Sequence, residues 1–220
     1  MEPSPDTRTR VVMVDDHRMF AESLTRLLQL EADFEVLDPC ADGSSALALI
    51  ETSTPHLVVM DYHLPDTDGV HLTHQLLARH PELKVIMLTG SPDEVVMLRA
   101  IEAGVSGFLT KDRAATELTE SLRQVARGEV LIAPEQLTRV LARLPHATAP
   151  LHSTLSEREL EVLRLMSEGL SSRAMAERLF LSINTVRNYS QAVLTKLGAH
   201  SKLEAVALAV KSGIINVPGV

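Results

Sequence analysis

Five polar residues in the first half of the chain lie where predicted β-strands end, and their types suit chemistry at phosphorus. Asp15 and Asp16 follow the apolar segment VVMV, Asp61 follows HLVVM, Thr89 follows KVIML, and Lys111 lies just past VSGFL. The carboxyl ends of parallel strands converge on one crevice, so we expect the five side chains to meet. Three carboxylates in one crevice repel one another unless a cation neutralises them, and a Mg²⁺ ion that keeps several waters suits such a cluster.

These groups support phosphoryl transfer onto a carboxylate. One carboxylate attacks phosphorus as a nucleophile, while the Lys111 ammonium and the Thr89 hydroxyl hold the other phosphoryl oxygens. We expect Asp61 to be the nucleophile, because it ends the central strand and because Pro65 and Gly69 in the following turn leave its carboxylate open. A strand-end aspartate often caps the next helix instead, but capping does not account for all five residues.

The elements that must position these residues form an alternating pattern of strands and helices. Short β-branched or apolar segments occur at 11–14, 34–37, 56–60, 84–88 and 105–109, and four of them are too apolar for a solvated face. Helical patterns alternate with these strands, at 19–28, 44–51, 69–79, 92–103 and 114–127. On the first helix, the apolar stripe is expected to comprise Met19, Ser23, Leu24, Leu27 and Leu28. Five such units predict an α/β fold with a doubly wound, five-stranded parallel sheet.

The second half of the chain has helical spacing and no strand signal. Residues 129–150 begin with an amphipathic segment and end in LPHATAP, which predicts a linker helix and a flexible linker. Four helices should follow, and they open at Ser156, at Ser171 or Ser172, at Ser182 and at Ser201. The predicted domains are therefore residues 9–128, the linker 129–150, and an all-α four-helix domain of residues 151–216.

Composition and charge restrict the classes of protein that the chain can belong to. The 220 residues are 45% hydrophobic and 23% charged, which is typical of a globular protein and argues against disorder. No apolar segment reaches the roughly 18 residues of a membrane span, and MEPSPDTRTR lacks the core of a secretory signal, so we expect a cytoplasmic protein without membrane contact. Cys40 is the single cysteine, which excludes an internal disulfide and a multi-cysteine metal site and predicts a small buried side chain.

The net charge of −8 hides an asymmetry between the two halves of the chain. Residues 151–220 carry eight Lys or Arg against six Glu, a net charge of +2, so the first 150 residues carry −10. This difference predicts two domains with different electrostatic roles, and the positive charge of the second is compatible with binding the phosphates of a nucleic acid. The chain has no Trp, two Tyr and four Phe, which argues against base stacking on single strands.

The motifs of the first half resemble the receiver domain of bacterial two-component response regulators. They are DDH at 15–17, D-x-x-x-P-x-x-D-G at 61–69, Thr89-Gly90 and GFLTK at 107–111. The resemblance implies that a sensor histidine kinase phosphorylates Asp61, and that Mg²⁺ is bound by Asp15, Asp16, Asp61 and the backbone carbonyl of His63. It also implies that Thr89 and Lys111 contact the phosphoryl group. Phe108 would be the family's aromatic switch, although an aromatic residue at this place also packs in a core.

Two expectations about the first half follow from this resemblance. The protein transfers a phosphoryl group onto its own Asp61 and is not an enzyme with substrate turnover. His63 lies two residues past Asp61 and borders the path of attacking water, so we hypothesise that it tunes dephosphorylation.

His71 and His74 lack Cys or acidic partners nearby and are interpreted as surface residues rather than metal ligands.

On the predicted helix at 183–197, one side is apolar and the other is polar without acidic residues. The inner side comprises Ile183, Val186, Ser190, Val193, Leu194 and Leu197, and the outer side comprises Thr185, Arg187, Asn188, Gln191 and Thr195. Arg pairs with guanine, Asn and Gln pair with adenine, and Thr binds phosphate. Such a face is also common on solvated helices.

The segment from 155 to 210 resembles the LuxR-type helix-turn-helix of the NarL/FixJ family. The opening LSEREL, the EGL turn, the segment A-x-x-L-x-x-S-x-x-T-V-R and the KLG ending carry the resemblance, although Tyr189 replaces the usual His. It implies that 173–179 and 183–197 are the two helices of the motif and that double-stranded DNA is the partner. The residues expected at the DNA are Arg173, Thr185, Arg187, Asn188, Gln191 and Lys196.

The last predicted helix is apolar around much of its circumference, and the resemblance implies a homodimer contact there. A phosphorylated dimer would bind inverted-repeat or tandem half-sites about one DNA turn apart. The predicted function is a transcription factor in which phosphorylation promotes dimerisation or releases a contact that blocks the second domain. Two alternatives stay open: a transcription factor whose receiver is a phosphorylation-independent protein-interaction module, and a Mg²⁺-dependent aspartyl-phosphate phosphatase that uses Asp61 and His63.

Overall fold

The computed structural model describes residues 8–90, 93–144 and 155–216, which form two compact units. The first unit takes its residues from 8–90 and 107–131, and the second from 93–106, 132–144 and 155–216. Residues 145–150, which belong to the predicted flexible linker, lie outside the described residues.

The first unit is built around a parallel sheet of five strands, as the sequence predicts. The strands are β1 (Thr9–Val14), β2 (Phe34–Val36), β3 (Leu57–Asp61), β4 (Lys84–Thr89) and β5 (Gly107–Thr110). Their order in the sheet is β2-β1-β3-β4-β5, and every neighbouring pair is parallel. All residues of β3 are buried, which explains why its sequence is continuously apolar up to its terminal aspartate.

Helices α1 (Arg18–Gln29), α2 (Gly43–Ser53), α3 (Gly69–Arg79) and α5 (Lys111–Ala126) complete the first unit. Side chains of α1 and α5 pack against alternate residues of the strands to form one core. Its members include Val11, Met13, Leu24, Leu28, Val59, Ile86, Leu88, Leu118 and Leu122. The intervening strand residues Val12, Val14, Val58, Met60, Val85 and Met87 are fully buried as well, so both faces of the sheet are covered. The predicted doubly wound α/β class is confirmed.

The buried stripe of α1 differs from the predicted stripe. Ala21, Leu24, Thr25 and Leu28 are buried, whereas Met19 is 84% exposed and Leu27 is 43% exposed. Ser23 is exposed too. The prediction was wrong about these three residues. Helix α1 carries apolar residues on more than one side, and their spacing does not indicate which side meets the sheet. Cys40 is buried, as expected for a small hydrophobic side chain.

The turn after β3 is held by two aspartates that cap neighbouring helices. The carboxylate of Asp66 accepts hydrogen bonds from the backbone N–H groups of Gly43 and Ser44 at the start of α2. Asp68 caps α3 and accepts from the backbone N–H of His71 at 2.7 Å. Both are thus turn and capping residues rather than further metal ligands.

The second unit contains α4 (Glu94–Glu102), α6 (Pro134–Leu141), α7 (Glu157–Ser167), α8 (Ser172–Leu179), α9 (Ile183–Leu197) and α10 (Lys202–Lys211). The last four form the predicted four-helix domain. Their caps are Ser156, Ser171, Ser182 and Ser201, and Ser156 with Glu159 completes the expected capping box. Among the described helices, none combines the length and the apolar character that crossing a membrane requires.

Helix α4 packs against α6 and α10 within the second unit. Ion pairs accompany this packing: Glu94 pairs with Arg143 at 2.6 Å, and Glu102 pairs with Lys211 of α10 at 2.9 Å. On α10, seven of the ten residues are buried. The apolar circumference that the sequence shows is therefore largely covered in this structure.

Gly69 is required where α3 begins, because the backbone of β3 passes directly against it. A Cβ atom at this position would overlap the backbone carbonyl oxygen of Asp61. We expect Gly69→Ala to lower the free energy of unfolding by about 1–3 kcal/mol, since the overlapping atom belongs to a fixed backbone. Gly90→Ala is the control, because no atom lies within 4 Å of its added Cβ. Chemical denaturation measures both variants, and equal stability of the two would contradict this account.

Candidate functional site

Lys111 lies between two buried carboxylates at the carboxyl edge of the sheet. Its Nζ is 2.7 Å from Oδ2 of Asp61 and 2.8 Å from Oδ2 of Asp15. Asp15 follows β1 and Asp61 ends β3, and these two strands are neighbours, so the topology itself brings the carboxylates together. Lys111 reaches them because it is the first residue of α5, directly after β5, and its Nζ also lies 5.3 Å from the centre of the Phe20 ring.

Burial and neighbouring charges shift the pKa values of Asp61 and Lys111 in this pocket. Burial raises the pKa of Asp61, the hydrogen bond from Lys111 opposes that rise, and the negative charge of Asp15 adds to it, so the net pKa lies above the ordinary value. Burial lowers the pKa of Lys111, but its hydrogen bonds to Asp15 and Asp61 outweigh burial and raise it overall. The ammonium therefore stays charged, while Asp61 ionises less readily than an exposed aspartate.

His17 also belongs to this pocket, although the sequence analysis gives it no role. Its ring Nδ1 is 2.8 Å from Oδ1 of Asp16 and 3.1 Å from Oδ1 of Asp15, and its backbone N–H donates to Asp15 Oδ1 at 2.9 Å. The backbone hydrogen bond fixes the Asp15 carboxylate, and the imidazole, whose side chain is 66% exposed, lies between the pocket aspartates and solvent-accessible space. The position of His17 directly after two aspartates was the available signal.

The donor set of the pocket fits a divalent cation. Ligand atoms of Asp15, Asp16, His17 and Asp61 all lie within 4.8 Å of one another. Three of these four residues offer carboxylate oxygens, which hard cations such as Mg²⁺ prefer. A cation would also reduce the repulsion among the carboxylates, which Lys111 offsets only for the two it contacts.

The remaining predicted residues of the first site lie around this cluster. Thr89 is buried at the end of β4, the strand next to β3, and Phe108 in β5 is 8% exposed. The backbone N–H of His63 hydrogen-bonds to Asp61 and helps to lower its pKa, while the exposed His63 ring packs edge-on against Tyr62 at 4.6 Å between ring centres. The structure brings Asp15, Asp16, Asp61 and Lys111 together as predicted. The roles of these four residues and of Thr89, Phe108 and His63 all stay predictions.

In the second unit, α9 carries the predicted polar face. Val186, Ser190 and Val193 are buried, while Arg187, Asn188 and Gln191 are exposed. Ile183 was expected on the inner side but is 39% exposed at the first position of the helix. The inner and outer sides of the helix otherwise follow the predicted division.

Three of the residues expected at the DNA take part in contacts within the domain. The hydroxyl of Thr185 lies 2.8 Å from the Ser182 hydroxyl at the N-cap of α9. Lys196 pairs with the largely buried Glu159 at 2.7 Å, and Arg173 pairs with Glu177 at 3.2 Å. Hydrogen bonds from Lys196 and from the backbone N–H of Ser156 lower the pKa of Glu159. Because Lys196 belongs to α9 and Glu159 to α7, their ion pair also connects the two helices. The Arg173 pair is exposed on both sides and contributes little.

Comparison with known proteins identifies two families along the chain. Residues 11–123 match the family of response regulator receiver domains, and residues 153–209 match the luxR family of bacterial regulatory proteins. The chain belongs to the LuxR-type DNA-binding response regulators of two-component systems. It is 33% identical to the transcriptional regulatory protein DegU of Brevibacillus brevis, over 96% of this chain and 97% of DegU. It is 32% identical to the response regulator VraR of Staphylococcus aureus, over 94% and 98%.

Solved structures of response regulators share the fold. The RcsB response regulator of Salmonella typhimurium superposes with a TM-score of 0.57 over 90% of this chain and 98% of that chain, at 23% identity. A second RcsB structure, with a TM-score of 0.54, 23% identity and coverage of 93% and 98%, is described as two dimers bound to two parallel DNAs. The relatives are transcriptional regulators of the NarL/FixJ family rather than enzymes.

The raised pKa of Asp61 predicts a pH-dependent gain in stability for Asp61→Asn in metal-free buffer. Because the folded protein holds the Asp61 proton to a higher pH than the unfolded chain does, its contribution to stability is complete at acid pH. It is lost as the pH rises through the folded pKa. We expect Asp61→Asn to unfold a few degrees above the wild type at neutral pH and at nearly the same temperature in acid. Thermal unfolding in EDTA at several pH values measures this, and a constant difference would contradict it.

Proposed function

We propose that Asp61 is the phosphoacceptor of this response regulator and that a sensor histidine kinase is its phosphodonor. The observation that carries the proposal is the Lys111 ammonium, which lies 2.7 Å from the Asp61 carboxylate in a pocket with two further aspartates.

In the proposed reaction, an oxygen of Asp61 attacks the phosphorus of a phosphohistidine. A P–O bond forms, the P–N bond breaks, and the histidine nitrogen leaves with the electron pair of that bond. Lys111 is already beside the attacking oxygen, so its ammonium can follow the developing negative charge onto the phosphoryl oxygens. We assign the Thr89 hydroxyl to donate to another phosphoryl oxygen, and Phe108 to change its packing when Thr89 moves.

Mg²⁺ is the proposed cofactor, and Asp15, Asp16, Asp61 and the backbone carbonyl of His63 would hold it. When bound, it supplies positive charge that neutralises the carboxylates and the incoming phosphoryl group. The chain's own contribution is to hold these oxygens in one place. The backbone N–H of His17 fixes Asp15 at 2.9 Å, and the close approach of Gly69 fixes the backbone at Asp61.

The output of the switch is DNA binding through α9. We propose that Arg187, Asn188 and Gln191 contact base edges in the major groove, because they are exposed polar residues on the outer side of the recognition helix in a LuxR-type domain. We propose that Arg173, Thr185 and Lys196 contact the phosphate backbone of DNA. Lys196 would then bind both Glu159 and a phosphate, and Thr185 would bind both Ser182 and a phosphate. The dimers on DNA in the RcsB structure support a homodimer on paired half-sites for this chain as well.

Phosphorylation is proposed to act by freeing α10 for dimerisation. Support comes from the second unit, in which α4 packs against α10 and the residues of α10 are largely buried. A contact that covers this surface competes with a partner subunit for the same apolar residues. A population shift away from the covered state requires only that phosphorylation favour the other state.

The proposed domain bounds are those of the sequence analysis: 9–128, 129–150 and 151–216, in a cytoplasmic protein. A receiver that works without phosphorylation would have no use for the Lys111 and aspartate cluster. A phosphatase of the aspartyl-phosphate type would need an acid beside Asp61, whereas the exposed ring of His63 packs against Tyr62. The observations therefore favour the phosphorylated transcription factor over both alternatives.

Phosphorylation at Asp61 is tested with acetyl phosphate as donor. We expect intact-mass spectrometry to find one added phosphoryl group on the wild type with Mg²⁺, none in EDTA and none on Asp61→Asn. Asp38→Asn, an exposed carboxylate outside the cluster, should behave as the wild type. Only the treated wild type and this control should select fragments tightly from a genomic DNA library. Equal phosphorylation of Asp61→Asn would exclude Asp61, and equal selection by all forms would exclude the receiver as the switch.

The release step is tested by removing the ion pairs of α4: Glu94 pairs with Arg143 just past α6 and with Arg139 in α6, and Glu102 pairs with Lys211 of α10. We expect the double variant Glu94→Gln and Glu102→Gln to dimerise and bind DNA up to about thirtyfold more tightly without phosphorylation, since the pairing of each glutamate is worth up to about 1 kcal/mol. Glu135→Gln, an exposed residue of α6, is the matched control. Sedimentation equilibrium and DNA titration measure both properties, and unchanged affinities would remove the release step.

A further inference from the structure

Phe180 is a bulky apolar side chain that the fold leaves in solvent. It is 95% exposed and closes the C-terminus of α8 in the left-handed conformation, with φ 55° and ψ 43°. Only its backbone serves the fold, because the cap N–H donates to the carbonyls of Ala176 and Glu177. Glycine or asparagine adopts this conformation with less strain than phenylalanine. The side chain therefore opposes folding slightly and adds no packing in return.

A second exposed apolar residue lies close to Phe180 in the chain. Ile183, the first residue of α9, is 39% exposed, and the N-cap residue Ser182 directly precedes it. Ile183 is one helical turn before Arg187, so it continues the exposed face of α9 toward the N-terminus. In the described part of helices α7 to α10, Phe180 and Ile183 are the exposed large hydrophobic residues. We call these two residues the apolar pair.

The position of the apolar pair indicates what could cover it. In a helix-turn-helix the N-terminal residues of the second helix reach the base edges. The apolar pair therefore lies at the end of α9 that leads into the groove, next to Arg187 and Asn188. DNA offers two apolar surfaces at such a place, the 5-methyl group of thymine in the major groove and the carbon atoms of deoxyribose along its edge.

We propose that Phe180 and Ile183 form an apolar contact with DNA and that this contact helps to determine which sites the protein selects. The inference rests on the proposed function, because it requires α9 to bind DNA. Phenylalanine is a known partner of the thymine methyl group. The exposed ring of Phe180 would lose its water contacts only in the complex, so its apolar surface would stabilise the complex and not the free domain.

The test separates folding from binding through Phe180→Asn. Asparagine tolerates the left-handed conformation, so we expect this variant to unfold at the wild-type temperature or above it. On a duplex that the acetyl phosphate-treated wild type selects from a random pool, it should bind about tenfold more weakly. Leu30→Asn is the matched control, because Leu30 is an 83% exposed hydrophobic residue at the C-cap of α1 and should change DNA binding little.

Uracil substitution in the same duplex distinguishes the two apolar surfaces. Uracil lacks the 5-methyl group of thymine. If Phe180 contacts a methyl group, replacing that thymine weakens the wild type about tenfold and leaves Phe180→Asn unaffected. If Phe180 contacts deoxyribose, the wild type binds both duplexes equally and Phe180→Asn is weaker on both. The first pattern supports both the contact and its part in site selection. The second supports an apolar contact with DNA but overturns its part in site selection, because deoxyribose is the same at every base pair.

Three other results overturn the inference as a whole. Wild-type affinity in Phe180→Asn would show that the ring does not meet DNA, and a protein partner would then be its remaining use. A lower unfolding temperature of Phe180→Asn would show that the ring serves the fold. If the treated wild type selects no duplex at all, the proposed function fails and the inference fails with it, whereas the first two results leave the proposed function intact.

Discussion

The carboxyl edge of the sheet in the first unit depends on the contact of Lys111 with Asp15 and Asp61, because this contact allows two buried carboxylates to lie side by side. Parallel strands at the centre of a sheet end at the same edge, and here Asp15 directly follows β1 while Asp61 ends its neighbour β3. Two carboxylates so close together and so deeply buried would oppose folding without a cation. Lys111 supplies the cation because β5 ends one residue before it. The same placement leaves a carboxylate nucleophile beside an ammonium, which is the arrangement that phosphoryl transfer requires.

The backbone around this contact is restrained by small residues and caps rather than by large side chains. Gly69 allows the start of α3 to pass directly against the carbonyl of Asp61, and Asp66 joins the same turn to α2. His17 binds Asp15 through its backbone and side chain. Each restraint lies on a turn between a strand and a helix. The backbone at the carboxyl edge of the sheet is therefore hydrogen-bonded or closely packed on each side of the carboxylates.

The second unit follows a different physical rule. Four serines cap its four terminal helices, so local backbone hydrogen bonds set where each helix begins. Packing then selects the inner side of α9 and leaves its polar side exposed. The Lys196 pair with Glu159 shows that a basic residue of a recognition helix can also serve the fold, because the capping box already holds Glu159 in place. Phe180 is the opposite case, because its exposed side chain in a left-handed conformation contributes nothing to the stability of the fold.

The sequence by itself determined the elements, their class and the members of the acidic pocket. Local patterns decide these features: alternating strands and helices, serine caps, and polar residues placed directly after apolar strands. The family also follows from local motifs, such as DDH and the residues around Asp61, and the comparisons confirm it.

Only the tertiary structure decided which side of α1 is buried, because Met19 and Leu27 are as apolar as the residues that meet the sheet. It also decided the place of His17 in the pocket, the pairing of Lys196 with Glu159, and the exposure of Phe180 and Ile183. Each of these depends on distances between residues from different elements. Spacing along a single helix or strand does not contain those distances, so no pattern in the sequence could supply them.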